Sequence, residues 1–257
     1  MVSAMRFGHR VAFWMLFPFT IPQGLWLRAR APRFGAAAGP HTGEVGSGKP
    51  LSLLAIGDSV IAGVGARTVE EALPGQVATA LADRLKRQLH WFALGSIGAD
   101  ARKIRQRLVP KLPSTPFDLI VLSAGVNDVT GLRRTNGWRK ELGQLLDDLR
   151  GHSPDALIVL ADLPDLSRFP LLPQPLAWVF GLRARTFAAA GEIETARRPN
   201  CAYARLRFDY SPEQFSPDGF HPSAESYRQW GQALAEFMTP WCRASLPDFA
   251  YDMETPT

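Results

Sequence analysis

The stretch LLAIGDSVIAGVG, residues 53–65, is an apolar run that stops at Gly57-Asp58-Ser59 and then gives way to small residues. Such a run reads as a buried strand, and the tripeptide behind it as a tight turn. The hydroxyl of Ser59 therefore stands at the carboxyl end of a strand, where open α/β sheets hold their ligands. Working outward, further apolar runs of strand length cover residues 51–56, 90–94, 117–124, 156–161 and 201–206. Between them the apolar residues change period. Val77, Leu81, Leu85 and Leu89 recur at helical spacing over residues 74–89, and residues 138–149 and 227–238 behave alike. Strands alternating with helices of this length predict an α/β fold with a mainly parallel five-stranded sheet, covered on both faces and joined by right-handed crossovers.

Composition narrows the function classes. A chain of 257 residues with 46% hydrophobic content can build one sizeable domain and a short appendage. The formal charge of +5 is confined to the amino-terminal region, where Arg6, Arg10, Arg28, Arg30 and Arg33 precede any acidic residue. Beyond it acids and bases balance, so the main domain carries no nucleic-acid footprint. Cys201 and Cys242 lack metal-ligand spacing and read as small apolar residues. His9, His41, His90, His152 and His221 form no metal-binding pattern, and the glycine-rich run has no Lys-Ser/Thr ending to cradle a phosphate. Neither a cofactor nor a metal is expected.

Residues 11–27, VAFWMLFPFTIPQGLWL, are aromatic, uncharged and bracketed by arginines. A spanning helix needs about 20 apolar residues, and this run is shorter and holds Pro18, Pro22 and Gln23. A cleaved secretory signal fits poorly too, because the small residues at 36–39 lie beyond three arginines. An uncleaved anchor or interfacial segment at a membrane surface fits best, and the alternative is an amphipathic cap packed on its own domain. Residues 1–34 are thus read as this anchor or signal-like segment. Residues 35–50, rich in Gly, Ala and Pro, are read as a linker, residues 51–243 as the catalytic domain and residues 244–257 as a tail. The expected location is a membrane or the cell envelope, and otherwise the cytoplasm.

The chemically capable residues converge on strand ends. Gly57-Asp58-Ser59 follows the first strand, GSIGAD (95–100) the second and AGVNDV (124–129) the third, while SPDGFHPS (216–223) precedes the last helix. Asp218 and His221 are close enough for one loop to hold the carboxylate against the imidazole. Together with Ser59 they make a nucleophile, a base and an orienting carboxylate. The amides of Ser59 and Gly98 and the side chain of Asn127 are candidate oxyanion donors. Gly95 and Gly98 both follow the second strand. Asp58, the neighbour of the serine, is expected to cap turn amides rather than to serve the histidine.

In this order the motifs resemble the SGNH, or GDSL, hydrolases over residues 51 to about 238. The resemblance implies a three-layer α/β/α flavodoxin-like fold and ester hydrolysis without a cofactor. It also implies catalytic Ser59, Asp218 and His221, with an oxyanion hole of Ser59, Gly98 and Asn127. Gly98 is preferred to Gly95 because it stands before the helix-forming stretch, as the family glycine does. The G-x-S-x-G elbow of ordinary α/β-hydrolases is absent around Ser59. The expected activity is that of a serine-dependent carboxylic-ester hydrolase, an esterase or lipase, acting on hydrophobic or short-to-medium acyl esters, small or lipid-like. The same triad could instead transfer the acyl group or deacetylate a glycan, and a catalytically silent SGNH-fold binding module is the rival from another class. Residues 163–187 are too apolar for a free loop, and read either as a helix packed over the sheet edge or as an acyl-binding wall or membrane-facing lid.

Overall fold

The structure, a computed structural model, describes residues 2–30, 32 and 34–245. The expected tail lies outside the described residues beyond Ser245, and so does Arg33. The run quoted above becomes β2 (Pro50–Gly57), the middle of the sheet. Leu54 and Ile56 of β2 enter one apolar layer, Leu53 and Ala55 the other. Strand side chains alternate between faces, so an unbroken apolar run is what a strand covered on both sides requires. The same division holds for β4 (Leu119–Ser123) and β5 (Leu157–Ala161). With β3 (Gln88–Gly95) and β6 (Cys201–Ala204) they form a parallel array in the order β3-β2-β4-β5-β6.

Helices α2 (Leu73–Leu85) and α7 (Ala224–Ser245) cover one face through Val77, Leu81, Tyr227 and Leu234. Helices α5 (Thr135–His152) and α6 (Leu176–Ala196) cover the other through Trp138, Leu142 and Phe187. Each buried Leu, Ile or Phe of these layers contributes roughly 1.5–3 kcal/mol over leaving it in water. Chain order reverses between β2 and β4, and the loops leaving their carboxyl ends part there.

The sheet has six strands rather than five. Strand β1 (Thr42–Val45) pairs antiparallel with β3 along the outer edge, from within the stretch read as a linker. A four-residue edge strand that is alternately exposed and half-buried has no apolar run to announce it. The stretch also supports the interior, because the amide of Ala37 donates to the Ala62 carbonyl and that of Ala38 to Arg67, behind the turn that follows Ser59. Residues 37–45 are thus part of the domain.

Two helix readings shift. The helix expected to reach Leu89 stops at Leu85, where Lys86 turns left-handed (φ 52°), and Leu89 belongs to β3 opposite Val45 and Leu51. The amino-terminal run lies inside α1 (Val2–Arg30), which packs on α6. Phe13, Phe17, Thr20 and Leu27, spaced as one helical stripe, form its inner face. Gln23 ties it down: its amide donates to the Gln174 carbonyl (2.7 Å) and its oxygen accepts from the Leu176 amide (3.2 Å). Among the described residues no helix is long and apolar enough to cross a membrane. Both cysteines are free thiols, Cys242 buried within α7.

Candidate active site

Gly57 closes β2 where a side chain has no room, since a Cβ there would lie 2.3 Å from the Ser123 carbonyl oxygen. The chain then turns sharply through Asp58 and Ser59, held by the amides of Ala62 and Val64 on the Asp58 and Ser59 carbonyls. Tyr227 of α7, fully buried, donates its hydroxyl to the Val64 carbonyl and fastens the turn to the helix layer. At Gly65 a Cβ would meet the Pro222 carbonyl at 2.2 Å, so the serine turn and the histidine loop approach backbone to backbone.

That approach brings His221 to Ser59, 162 positions away in sequence, with Nε2 at 3.0 Å from the hydroxyl oxygen. The other ring nitrogen, Nδ1, lies 2.6 Å from Asp218 Oδ2. The second oxygen of Asp218 accepts from the amides of Phe220 and His221 and from the Ser216 hydroxyl, each at 2.8 Å. Burial opposes ionisation of Asp218, but the His221 ring and these donors outweigh it and hold the carboxyl at about 2. A carboxylate so fixed leaves His221 Nδ1 as donor and Nε2 free to accept a proton from Ser59.

Asp58 points elsewhere. Its Oδ1 accepts from the Val60 amide (3.1 Å) and the Ser123 hydroxyl (3.0 Å), which joins the turn to the end of β4. Burial lifts its carboxyl to about 6 against those bonds and the nearby His221. This is the turn-capping role expected from its position.

Beyond β3, Gly98 is left-handed (φ 71°) and has no atom within 4 Å of where a Cβ would stand, whereas a Cβ on Gly95 would meet the Ala62 amide nitrogen at 2.2 Å. Gly95 packs behind the serine turn; Gly98 faces open space. Beyond β4, Gly125 (φ 124°) opens the short helix α4 (Val126–Thr130), whose first turn carries Asn127. The Asn127 amide donates once to the Ala99 carbonyl (3.0 Å) and has a second hydrogen to offer. Among the described residues, none accepts a hydrogen bond from the amides of Ser59 and Gly98. Three donors thus stand at the ends of β2, β3 and β4.

Residues that the sequence reading passed over support this arrangement. Asp128, buried, accepts the Ala101 amide (3.0 Å) and binds α4 to α3 (Ala101–Lys103), the helix after the Gly98 loop. Burial lifts its carboxyl to about 7, and Asp100 and Asp58 add to the shift. Arg183 of α6, 5% exposed, donates to the Val129 carbonyl (2.9 Å) and to that of Arg133. A cleft beside Ser59 and His221 is lined by Leu163, Phe169, Leu206, Phe208, Phe220 and Trp230, among others, and spans about 590 Å³ with its open mouth. Of the apolar segment 163–187, Leu163, Pro164 and Phe169 reach this cleft, while Leu172, Leu176 and Val179 join the core.

Residues 55–229 match the GDSL-like Lipase/Acylhydrolase family. The chain belongs to that family. No curated protein matches it, but solved structures share the fold of this GDSL-family hydrolase. A family 3 carbohydrate esterase from Clostridium thermocellum is 16% identical, with a TM-score of 0.59 over 76% of this chain and 98% of its own. A lipase/acylhydrolase from Enterococcus faecalis is 19% identical, with a TM-score of 0.54 over 74% of this chain and 96% of its own. A psychrotrophic esterase from Pseudoalteromonas is 15% identical, with a TM-score of 0.56 over 75% and 98%. At these identities the likeness is one of architecture: a mostly parallel α/β sheet flanked by helices, as in other GDSL hydrolases.

Proposed function

We propose that this GDSL-family hydrolase cleaves carboxylic esters through an acyl-enzyme on Ser59. The observation that carries the reading is the unbroken hydrogen-bonded series Ser59 Oγ, His221 Nε2, His221 Nδ1, Asp218 Oδ2, at 3.0 and 2.6 Å. Ser59 Oγ attacks the ester carbonyl carbon as its proton passes to His221 Nε2, and Asp218 stabilises the imidazolium. The tetrahedral oxyanion faces the Ser59 and Gly98 amides and Asn127 Nδ2. Its collapse expels the alcohol, which takes the proton from Nε2; water then repeats the sequence and releases the acid. The aromatic and aliphatic lining of the cleft suits an acyl group of short to medium length.

The test is labelling with a fluorophosphonate, followed by turnover of nitrophenyl esters from acetyl to long acyl. Wild-type protein should label once and lose activity, and folded Ser59→Ala should neither label nor turn over the esters. Asp218→Asn should retain labelling but turn over about 10⁴-fold more slowly, the serine-protease precedent for a misoriented base. Normal turnover by Ser59→Ala would overturn the assignment. Labelling of Ser59 without hydrolysis, but with acyl transfer to an added alcohol, would favour a transferase on the same residues.

A further inference from the structure

Helix α1 buries one apolar stripe on α6 and presents a second to solvent. Met15, Phe19 and Trp26 stand at helical spacing on the side opposite Phe13, Phe17 and Leu27, and all three are exposed, Phe19 to 79%. Leu25 and Phe34 are exposed as well. Trp178 adds to it from α6, two residues beyond Leu176, whose amide is held by Gln23 of α1. These six account for most of the large hydrophobic side chains exposed among the described residues. Large apolar side chains exposed in a row along one helix face mark a place where something else covers them.

The surroundings identify the cover. Arg28 and Arg30 are exposed at the end of α1, and the Arg30 guanidinium lies 5.4 Å from the centre of the Trp26 ring. No acidic residue precedes Glu44 in the sequence, so α1 itself brings positive charge and no negative charge to this face. Aromatic side chains beside arginines match the boundary between acyl chains and anionic headgroups. Since α1 is fastened to its own domain on its inner side, it can lie on such a surface while the domain stays in water.

We propose that the outer face of α1, with Trp178, is a docking surface for an anionic lipid bilayer, and that it holds the mouth of the active-site cleft close to that bilayer. The connection is short. Phe169 lines the cleft, the Leu171 amide donates to the Gly219 carbonyl in the histidine loop (3.0 Å), and Gln174 accepts from Gln23. Four residues separate Phe169 from Gln174, no more than about 18 Å of extended chain. An ester dissolved in the bilayer therefore reaches the cleft with little travel through water. That last step rests on the proposed hydrolase activity; the docking does not.

The experiment is cosedimentation of the full chain with vesicles of phosphatidylcholine alone or mixed with phosphatidylglycerol, at low and high salt. Wild-type and Ser59→Ala protein should bind the anionic vesicles equally, with binding weakened by salt and weak on phosphatidylcholine. The triple variant Phe19→Ser, Leu25→Ser, Trp26→Ser should bind roughly tenfold or more weakly while hydrolysing a soluble short ester as wild type does. Absence of wild-type binding to either vesicle, or equal binding by the triple variant, would overturn the proposal. So would light scattering that finds a dimer converted to monomer by the triple variant, because a second copy would then cover the face. Vesicle binding without ester turnover would sink the hydrolase reading and leave the docking standing.

Discussion

Under the proposed mechanism Asn127 donates to an oxyanion from a side chain that already spends one hydrogen on Ala99. That internal bond fixes the amide plane before substrate arrives, which is where preorganised donors gain their worth. Asn127→Ala should lower kcat by about 10²–10³-fold with a smaller change in KM; steady-state kinetics on a nitrophenyl ester checks it, and a rise in KM at constant kcat would make Asn127 a ground-state binding residue. Asp58 makes a different prediction. Its carboxyl is lifted from 3.8 to about 6 by burial, so the folded state holds the proton more tightly than the unfolded chain. Stability should therefore fall as pH rises from about 4 through 6 and stay reduced above that. Asp58→Asn removes this cost while keeping an acceptor for Val60 and Ser123. The variant should be more stable than wild type at pH 8, by up to about 3 kcal/mol, and the difference should vanish near pH 4 in thermal melts. Asp218 acts in the opposite sense: held at about 2, it stabilises the fold above pH 4, and that contribution is lost as pH drops through 2.

Helices meet the site through Arg183. Its guanidinium lies 4.9 Å from the ring centre of Phe13 in α1 and 4.8 Å from that of Phe187 in α6, and its donors occupy the carbonyls at the end of α4 and just beyond. Arg133 in turn pairs with Asp100, which caps α3 after the Gly98 loop. One buried cation thereby links α1, α6 and the helix that carries Asn127. Arg183→Met keeps the stem but takes the guanidinium from the Arg133 carbonyl and leaves the Val129 carbonyl to backbone amides such as that of Leu132, at a cost of about 1–3 kcal/mol in all. The melting temperature should fall by roughly 2–12 °C for a domain of this size, and kcat should drop more than KM rises as α4 loosens. A variant that melts early yet keeps wild-type kcat would show that α4 is held by other contacts.

Over the whole molecule, the amino-terminal region is not detachable from the chemistry. Deleting residues 1–47 would remove α1, the Ala37 and Ala38 bonds behind the serine turn, and β1 from the sheet edge. Its removal uncovers Arg183, which stacks on Phe13, on one side and the outer edge of β3 on the other. The shortened chain should unfold well below wild type and aggregate, as read by thermal melts and light scattering. A deletion of residues 1–12 alone spares Phe13 and Gln23, and should leave soluble-ester turnover near wild type.

The order of strands and helices, and the residue types at the strand ends, were legible in the sequence. Buried strands need apolar runs and covering helices need a 3.6-residue period, and both are local signals. Ser59, Asp218, His221, Gly98 and Asn127 could be picked out as candidates because each sits beside a strand or helix boundary in a recognisable motif. The edge strand β1 could not, because its stability comes from β3 and not from its own residues. For α1 the sequence favoured an anchor over a packed cap, since a helix apolar on both faces satisfies either pattern until Gln23 and Phe13 find their partners beside and within α6. Phe208 and Trp230 in the cleft, and Arg183 and Asp128 around the candidate oxyanion donors, were decided by tertiary contacts alone. Their partners are dozens of residues or more away, and only the closed fold brings them within van der Waals or hydrogen-bond reach.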